Sequence, residues 1–188
     1  MTAPESWNEV CLVSLTSGTT EMDIAPIMTS VAINQGGKPV ESVPNLSGGR
    51  ILVFKPEEDT EIEFEGMPIG IGDADATTQD GLDLFFHGTT SSAAPFIARS
   101  NLSRTPYTLT IMWTDDSTAT SAKSAVTSGK YALRYQFQNA YLTVCQPSFT
   151  TDGGLVSKYT FRCAPRNKAG ASNILDQSTD GTAELSAL

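Results

Sequence analysis

The sequence predicts a mainly β fold with one flanking short α-helix, and three observations carry that prediction. β-Branched and aromatic residues come in short runs punctuated by Gly, Asn, Asp and Pro. Residues 61–65, 107–113 and 131–138 alternate apolar and polar side chains at the two-residue period of a half-buried strand. A single window, residues 77–88, has helical spacing with both ends marked.

Residues 27–34 and 39–43 flank Gln35, Gly36 and Gly37, a glycine pair that can take positive φ and close a hairpin. Gly48 and Gly49 open a third run, Arg50-Ile51-Leu52-Val53-Phe54. After Thr60, the side chains of Glu61, Glu63 and Glu65 point one way and those of Ile62 and Phe64 the other, giving one wet face and one core face. The helix begins near Thr77 or Thr78, where Thr77 and Asp80 have capping-box spacing. Leu82, Phe85 and Phe86 form its apolar stripe and Gly88 ends it, while Gly81 weakens it by about 1 kcal/mol.

Tyr107, Leu109, Ile111 and Trp113 share a face against Thr108, Thr110 and Met112, the pattern of a half-buried strand. Residues 115–129, rich in Ser, Thr and Ala, read as a surface loop or a short surface helix carrying Ala122, Ala125 and Val126. Tyr131, Leu133, Tyr135 and Phe137 then alternate with Ala132, Arg134 and Gln136, and residues 141–145 continue the strand. Beyond the turn at Asp152-Gly153-Gly154, Leu155, Tyr159, Phe161 and Cys163 take one side and Lys158, Thr160 and Arg162 the other. The small polar residues from 169 onward read as a frayed tail. The chain thus divides into an N-terminal arm (1–24), a β-rich domain (25–165) and a C-terminal arm or tail (166–188).

The formal charge is −9, and ten acids against one base fall between Lys55 and Asp83, leaving eleven of each elsewhere. No basic footprint exists to hold a phosphate backbone, which argues against sequence-specific nucleic-acid binding. Apolar runs of a handful of residues exclude a membrane-spanning helix, and the start of the chain lacks the pattern of a signal peptide, so a soluble protein made and used inside a cell is expected.

Motifs that carry chemistry are missing. The single histidine, His87, sits at the end of the helix candidate, where the dipole accounts for it. Gly70 and Gly72 lack the third glycine of a dinucleotide loop. Asp73 and Asp75 open like a calcium loop, but Thr78 and Leu84 stand where glycine and a bidentate glutamate are needed. Three carboxylates on one wet strand face do not supply a general acid of raised pKa. Cys11, Cys145 and Cys163 have no metal spacing; centring the last hairpin on Gly153 sets Cys145 opposite Phe161 with Cys163 diagonal to it, close but without disulfide geometry. No cofactor, no metal and no enzymatic activity are expected.

The order of these features resembles the major tail tube proteins of long-tailed bacterial and archaeal viruses, relatives of the inner-tube proteins of contractile injection machines. The matching stretches are residues 51–66, 81–88, 107–113 and 131–165, the last including Tyr131-Ala132-Leu133-Arg134-Tyr135-Gln136-Phe137. The resemblance implies a β-sandwich or barrel-like tail tube domain in six-membered rings, stacked into a virion tail that is assembled in the host cytoplasm and conducts the genome. Implied partners are copies of the chain itself, a tape measure, a tail terminator, a distal tail protein and DNA in transit, with no membrane. Within that frame Glu61, Glu63 and Glu65 are candidates to line the lumen, because a negative wall repels a sliding phosphate backbone. Their alternative role is pairing with Lys158 and Arg162 on a neighbouring strand or subunit. Trp7, Gly36, Gly37 and Gly170 mark candidate ring-stacking segments. A viral binding or capsid-decoration module, and an acidic β-fold hydrolase, are the competing functional classes.

Overall fold

The computed structural model describes residues 10–17, 20–26, 31–68, 106–150, 154–180 and 184–188. Its elements are β1 (Val10–Ser17), β2 (Thr20–Pro26), β3 (Ala32–Asn34), β4 (Val40–Pro44), β5 (Arg50–Phe54), β6 (Thr60–Pro68), β7 (Tyr107–Thr114), β8 (Tyr131–Thr150), β9 (Gly154–Cys163) and β10 (Ile174–Asp180). There is no helix among the described residues; the window at 77–88, with His87, lies outside them, as do Gly70, Gly72, Asp73, Asp75 and Trp7.

Eight strands form one antiparallel sheet in the order β10-β8-β7-β1-β2-β6-β3, with β9 bridging β6 and β8. Passing from β8 through β7, β1, β2, β6 and β9 therefore leads back to β8, and the sheet curls around a single interior. The 20-residue β8 makes this possible by serving two ladders. Residues 131–137 lie between β7 and β10, whereas 140–150 pair with β9. Between the halves Asn139 adopts φ 56°, a left-handed conformation its short amide tolerates, and its side chain donates to Asn173 Oδ1 at 2.9 Å.

Alternation dictates the interior. Val13 and Leu15 from β1, Ile62 and Phe64 from β6, Leu109 and Ile111 from β7, Phe137 and Leu142 from β8, and Tyr159 and Phe161 from β9 form one buried cluster. Phe64 stacks on Tyr159 at 5.2 Å and on Phe161 at 5.9 Å. Each such side chain contributes roughly 1.5–3 kcal/mol through burial.

Four sequence expectations are corrected by this arrangement. First, β7 is buried on both faces: Thr110 and Met112 are as inaccessible as Ile111. The cause is the second correction. Residues 115–129 are the loop of the two alternatives, but one that covers the back of the sheet, burying Ala122 and Val126 with Met112, Ala132 and Leu185; Ala125 alone of the three apolar candidates stays exposed. The cover is fastened by the Ala122 amide on Ser14 Oγ (3.1 Å) and by paired amides and carbonyls between Val126 and Leu185. Arg134, 1% exposed, reaches from β8 to the carbonyls of Ser124 and Ser186 and to Gln177, tying cover, C-terminal residues and sheet together.

Third, residues 10–17 and 174–180, assigned above to terminal arms, are strands of the sheet; β1 lies mid-path and β10 at one end. Val13 and Leu15 are buried in the core, which ties β1 to the sheet. Fourth, the last hairpin is displaced by two residues: Thr150 pairs with Gly154, so Cys145 lies opposite Tyr159 and Cys163 opposite Ala140. An irregularity between Leu142 and Val144, where Thr143 turns its hydroxyl to the Thr160 carbonyl at 2.9 Å, shifts the ladder further.

Candidate assembly surfaces

Two surfaces stand out from this body. β4 and β5 form a separate two-stranded ribbon with the register Val40↔Phe54, Ser42↔Leu52 and Pro44↔Arg50 on one side and Glu41↔Val53 and Val43↔Ile51 on the other. Its turn is built by Asn45, whose Oδ1 accepts from the amides of Ser47 (3.1 Å) and Gly49 (2.8 Å), with Gly48 at φ 78°. Val40, Val43, Leu46, Ile51, Leu52, Val53 and Phe54 are all exposed. The hairpin therefore closes at Asn45, eight residues beyond Gly37, the end of the glycine pair predicted to close it. The segment before that pair, β3, pairs with β6 instead, Ile33 opposite Ile62.

Gly36 and Gly37 have another task. Neither is among the glycines of positive φ. At Gly36 a Cβ would stand 1.9 Å from the Glu58 carbonyl oxygen, so the residue allows the outgoing and returning stems of the ribbon to touch, and the Gly37 carbonyl accepts from the Glu58 amide at 3.0 Å. Beside this contact Glu57 accepts from Lys38 (2.7 Å) and from Arg166 (3.2 Å). The Lys38 hydrogen bond, with the charges of Lys38 and Arg166, holds the Glu57 carboxyl below the usual carboxylate range. Arg166 also donates to the carbonyl of Gly170, which sits at φ 83° in a turn organised by Asn167 Oδ1. Gly36, Glu57, Thr60, Arg166 and Ile174 line a cavity of about 270 Å³ there. The structure thus brings Gly36, Gly37 and Gly170 together at the ribbon's root, whereas Trp7 lies outside the described residues. Lys38, Glu57 and Arg166 were missed by the sequence reading, because the pairing spans 109 positions.

The second surface is the wet face of β6 and β9. Glu61, Glu63 and Glu65 share it, opposite buried Ile62 and Phe64. Glu61 meets Arg162 at 2.9 Å, and Glu63 meets Lys158 at 3.5 Å and the Thr160 hydroxyl at 3.3 Å. The alternative pairing named above is thus present within the chain itself. Three carboxylates against two cations leave these strands one net negative charge. Such exposed pairs are worth about 0–1 kcal/mol each, too little to explain the face as a stabilising device.

Among the described residues no group of three or more His, Cys, Asp or Glu is arranged to hold a metal. Burial pushes the thiols of Cys11 and Cys163 up to about 11, away from reactive thiolates.

No protein-family model and no curated protein matches the sequence. Solved structures do. A chain of the PVC extracellular contractile injection system, from its sheath–tube complex in the extended state, superposes with a TM-score of 0.53 at 13% identity, covering 95% of this chain and 93% of that one. A chain of the anti-feeding prophage baseplate, 6-fold symmetrised, gives 0.54 at 11% identity over 94% and 97%. The curled β domain described here is therefore the tail-tube-like fold found in these contractile injection assemblies.

Proposed function

We propose that this chain is a structural tube subunit whose copies join edge to edge into closed six-membered rings, which stack into the tail tube of a virus and conduct its genome. The observation that carries the reading is the fold, shared over nearly the whole length of both chains with components of a sheath–tube complex and a six-fold baseplate. Sheet anatomy supports it: β10 and β3 end the strand path, and joining them to other copies would remove the open edges that otherwise invite uncontrolled pairing. In this reading the β4–β5 ribbon, with Gly36 and Gly37 at its root, the turn at Gly170 and the segment around Trp7 serve ring stacking. Glu61, Glu63 and Glu65 face the lumen, where one residual negative charge per copy acts on a duplex within a screening length of about 8 Å. A tape measure, a tail terminator and a distal tail protein would meet the tube at its ends. The subunit has no catalytic task.

The matched assemblies favour a second reading, the inner tube of a contractile injection device without a genome to carry. Electron microscopy of the purified chain tests what the two share: rings and tubes are expected, and a 20.0 kDa monomer at every concentration would overturn both. Changing Glu61, Glu63 and Glu65 together to Lys separates them, since slowed genome release from otherwise intact particles is expected only of a viral tube.

A further inference from the structure

We propose that residues 184–188 form a removable strap over Arg134, which opens on assembly so that the guanidinium takes a carboxylate from a second copy of this chain; this rests on the self-assembly just proposed. Arg134 is buried on the back of the sheet, and every acceptor it meets is neutral. They are Gln177 Oε1 at 3.2 Å, the Ser186 carbonyl at 2.9 Å, the Ser124 carbonyl and the Met112 sulfur at 3.5 Å. Its Nε has no acceptor, and no ion pair among the described residues includes it. Burial disfavours its charge and lowers its pKa, with no carboxylate acting in the other direction. The buried acid of the cover, Asp116, is engaged elsewhere, accepting from the Thr118 amide at 2.9 Å and hydroxyl at 2.6 Å. Thr110, buried on the same face of β7 as Met112, likewise has a hydroxyl without a partner.

A buried cation without a counter-charge weakens the single chain, and well-packed apolar side chains in its place would not. Neutral acceptors recover only part of the loss. A carboxylate meets a guanidinium at two points, through charge-assisted hydrogen bonds about twice as strong as neutral ones. A residue that weakens the isolated fold in this way is expected where another state uses it.

The strap over Arg134 is lightly fastened. Leu185 exchanges amide and carbonyl with Val126 at 2.9 and 2.8 Å, the Leu188 amide donates to the Lys123 carbonyl at 3.1 Å, and Leu185 is its one buried side chain. A segment with so few contacts opens locally while the sheet stays closed. Opening withdraws the Ser186 carbonyl from Arg134 and uncovers Met112, Val126 and Ala132, which offers an incoming segment an apolar floor beside a cation. Place and charge identify the occupant as a second copy. Arg134 lies on β8 and bonds to Gln177 of β10, the strand that ends the sheet path where another copy is proposed to join. The chain has 21 acids against 12 lysines and arginines, so a copy brings the carboxylate that Arg134 does not find in its own chain.

Full-length Arg134→Met, compared with the wild type, tests the site. Its urea midpoint should be unchanged or raised, because the carbonyls it releases are only part-buried, while the concentration needed for tube growth rises at least about tenfold, as for one lost charged contact. A lowered midpoint would make Arg134 a strut of the single chain, and growth like that of the wild type would remove it from assembly; either overturns the proposal and leaves self-assembly standing. A wild type that never assembles would sink the underlying reading as well. Amide hydrogen exchange needs no variant: residues 184–188 should exchange faster in tubes than in the isolated chain, and equal or slower exchange would show that the strap stays shut. The occupant is identified with Arg134→Lys in tubes mixed from light and isotopically heavy subunits. A carbodiimide should couple position 134 to a carboxylate of a different chain, whereas coupling within one chain only, or none, would exclude a second copy as the occupant.

Discussion

Ile62 and Phe64 in β6 are 0% and 1% exposed, whereas Leu52 and Phe54, ten residues earlier in β5, stand 61% and 72% exposed. Both strands belong to antiparallel ladders with sound registers. They differ in sequence pattern. In β6 Ile62 and Phe64 are each followed by a glutamate, so a single face is buried and the chain covers it with its own strands. In β5 four apolar residues follow one another, so both faces are apolar and nothing among the described residues covers either. The body is covered by its own chain; among the described residues the ribbon is not.

The largest expected effect breaks this symmetry of ladders in energy. Phe161→Ala, in the stack with Phe64, should cost about 3–5 kcal/mol in urea unfolding, the range for a buried aromatic truncated to Ala. Phe54→Ala should stay within about 0.5 kcal/mol, as for surface positions. Equal losses would mean that the ribbon is packed in the isolated chain.

Less severe is Gly36→Val at the root. Its Cβ meets backbone rather than a yielding side chain, so the stems must part at a cost of about 1–3 kcal/mol. Amide hydrogen exchange should accelerate over residues 35–59 and remain slow in β7 and β9. Acceleration in the body as well would show that ribbon and body open as one unit.

The smallest effect is that of Glu57. Because its folded-state pKa lies below the unfolded value, its contribution is complete above the ordinary carboxylate range and is lost as pH falls through the lowered value. Exchange at the root should therefore quicken only on strong acidification, and Glu57→Gln should remove that pH dependence. A root equally protected in both proteins at every pH would show that Gly36 packing alone fixes the ribbon.

Much of the body could be read from local pattern. Ile62 and Phe64, and Tyr159, Phe161 and Cys163, fall on the buried side that alternation assigned them. The wet face of β6 was equally legible, as was the possibility that Lys158 and Arg162 lie across from it. What local pattern could not supply was anything decided by distant chain. β7 looked half-buried because its second cover comes from residues 115–129 and Leu185, a segment whose Ser- and Thr-rich composition resembles exposed loop. β10 looked like a tail because an edge strand with mostly exposed side chains carries no apolar alternation. Gly36 was singled out for its φ, whereas its constraint is the closeness of a carbonyl that only the folded root reveals. One signal at the ribbon was available and undervalued, namely that Ile51, Leu52, Val53 and Phe54 are apolar at both parities.

The curled ladder also imposes an order of events on the newly made chain. β1 must find β7, and β6 must find β9, across about one hundred intervening positions in each case, a topology associated with folding in roughly milliseconds to seconds. The ribbon needs only the five-residue reach around Asn45, and hairpins of that kind form in about 1–10 μs. A nascent molecule therefore displays its exposed apolar hairpin long before its body has closed, and the pace of body closure sets how long unfinished chains carry that surface beside one another.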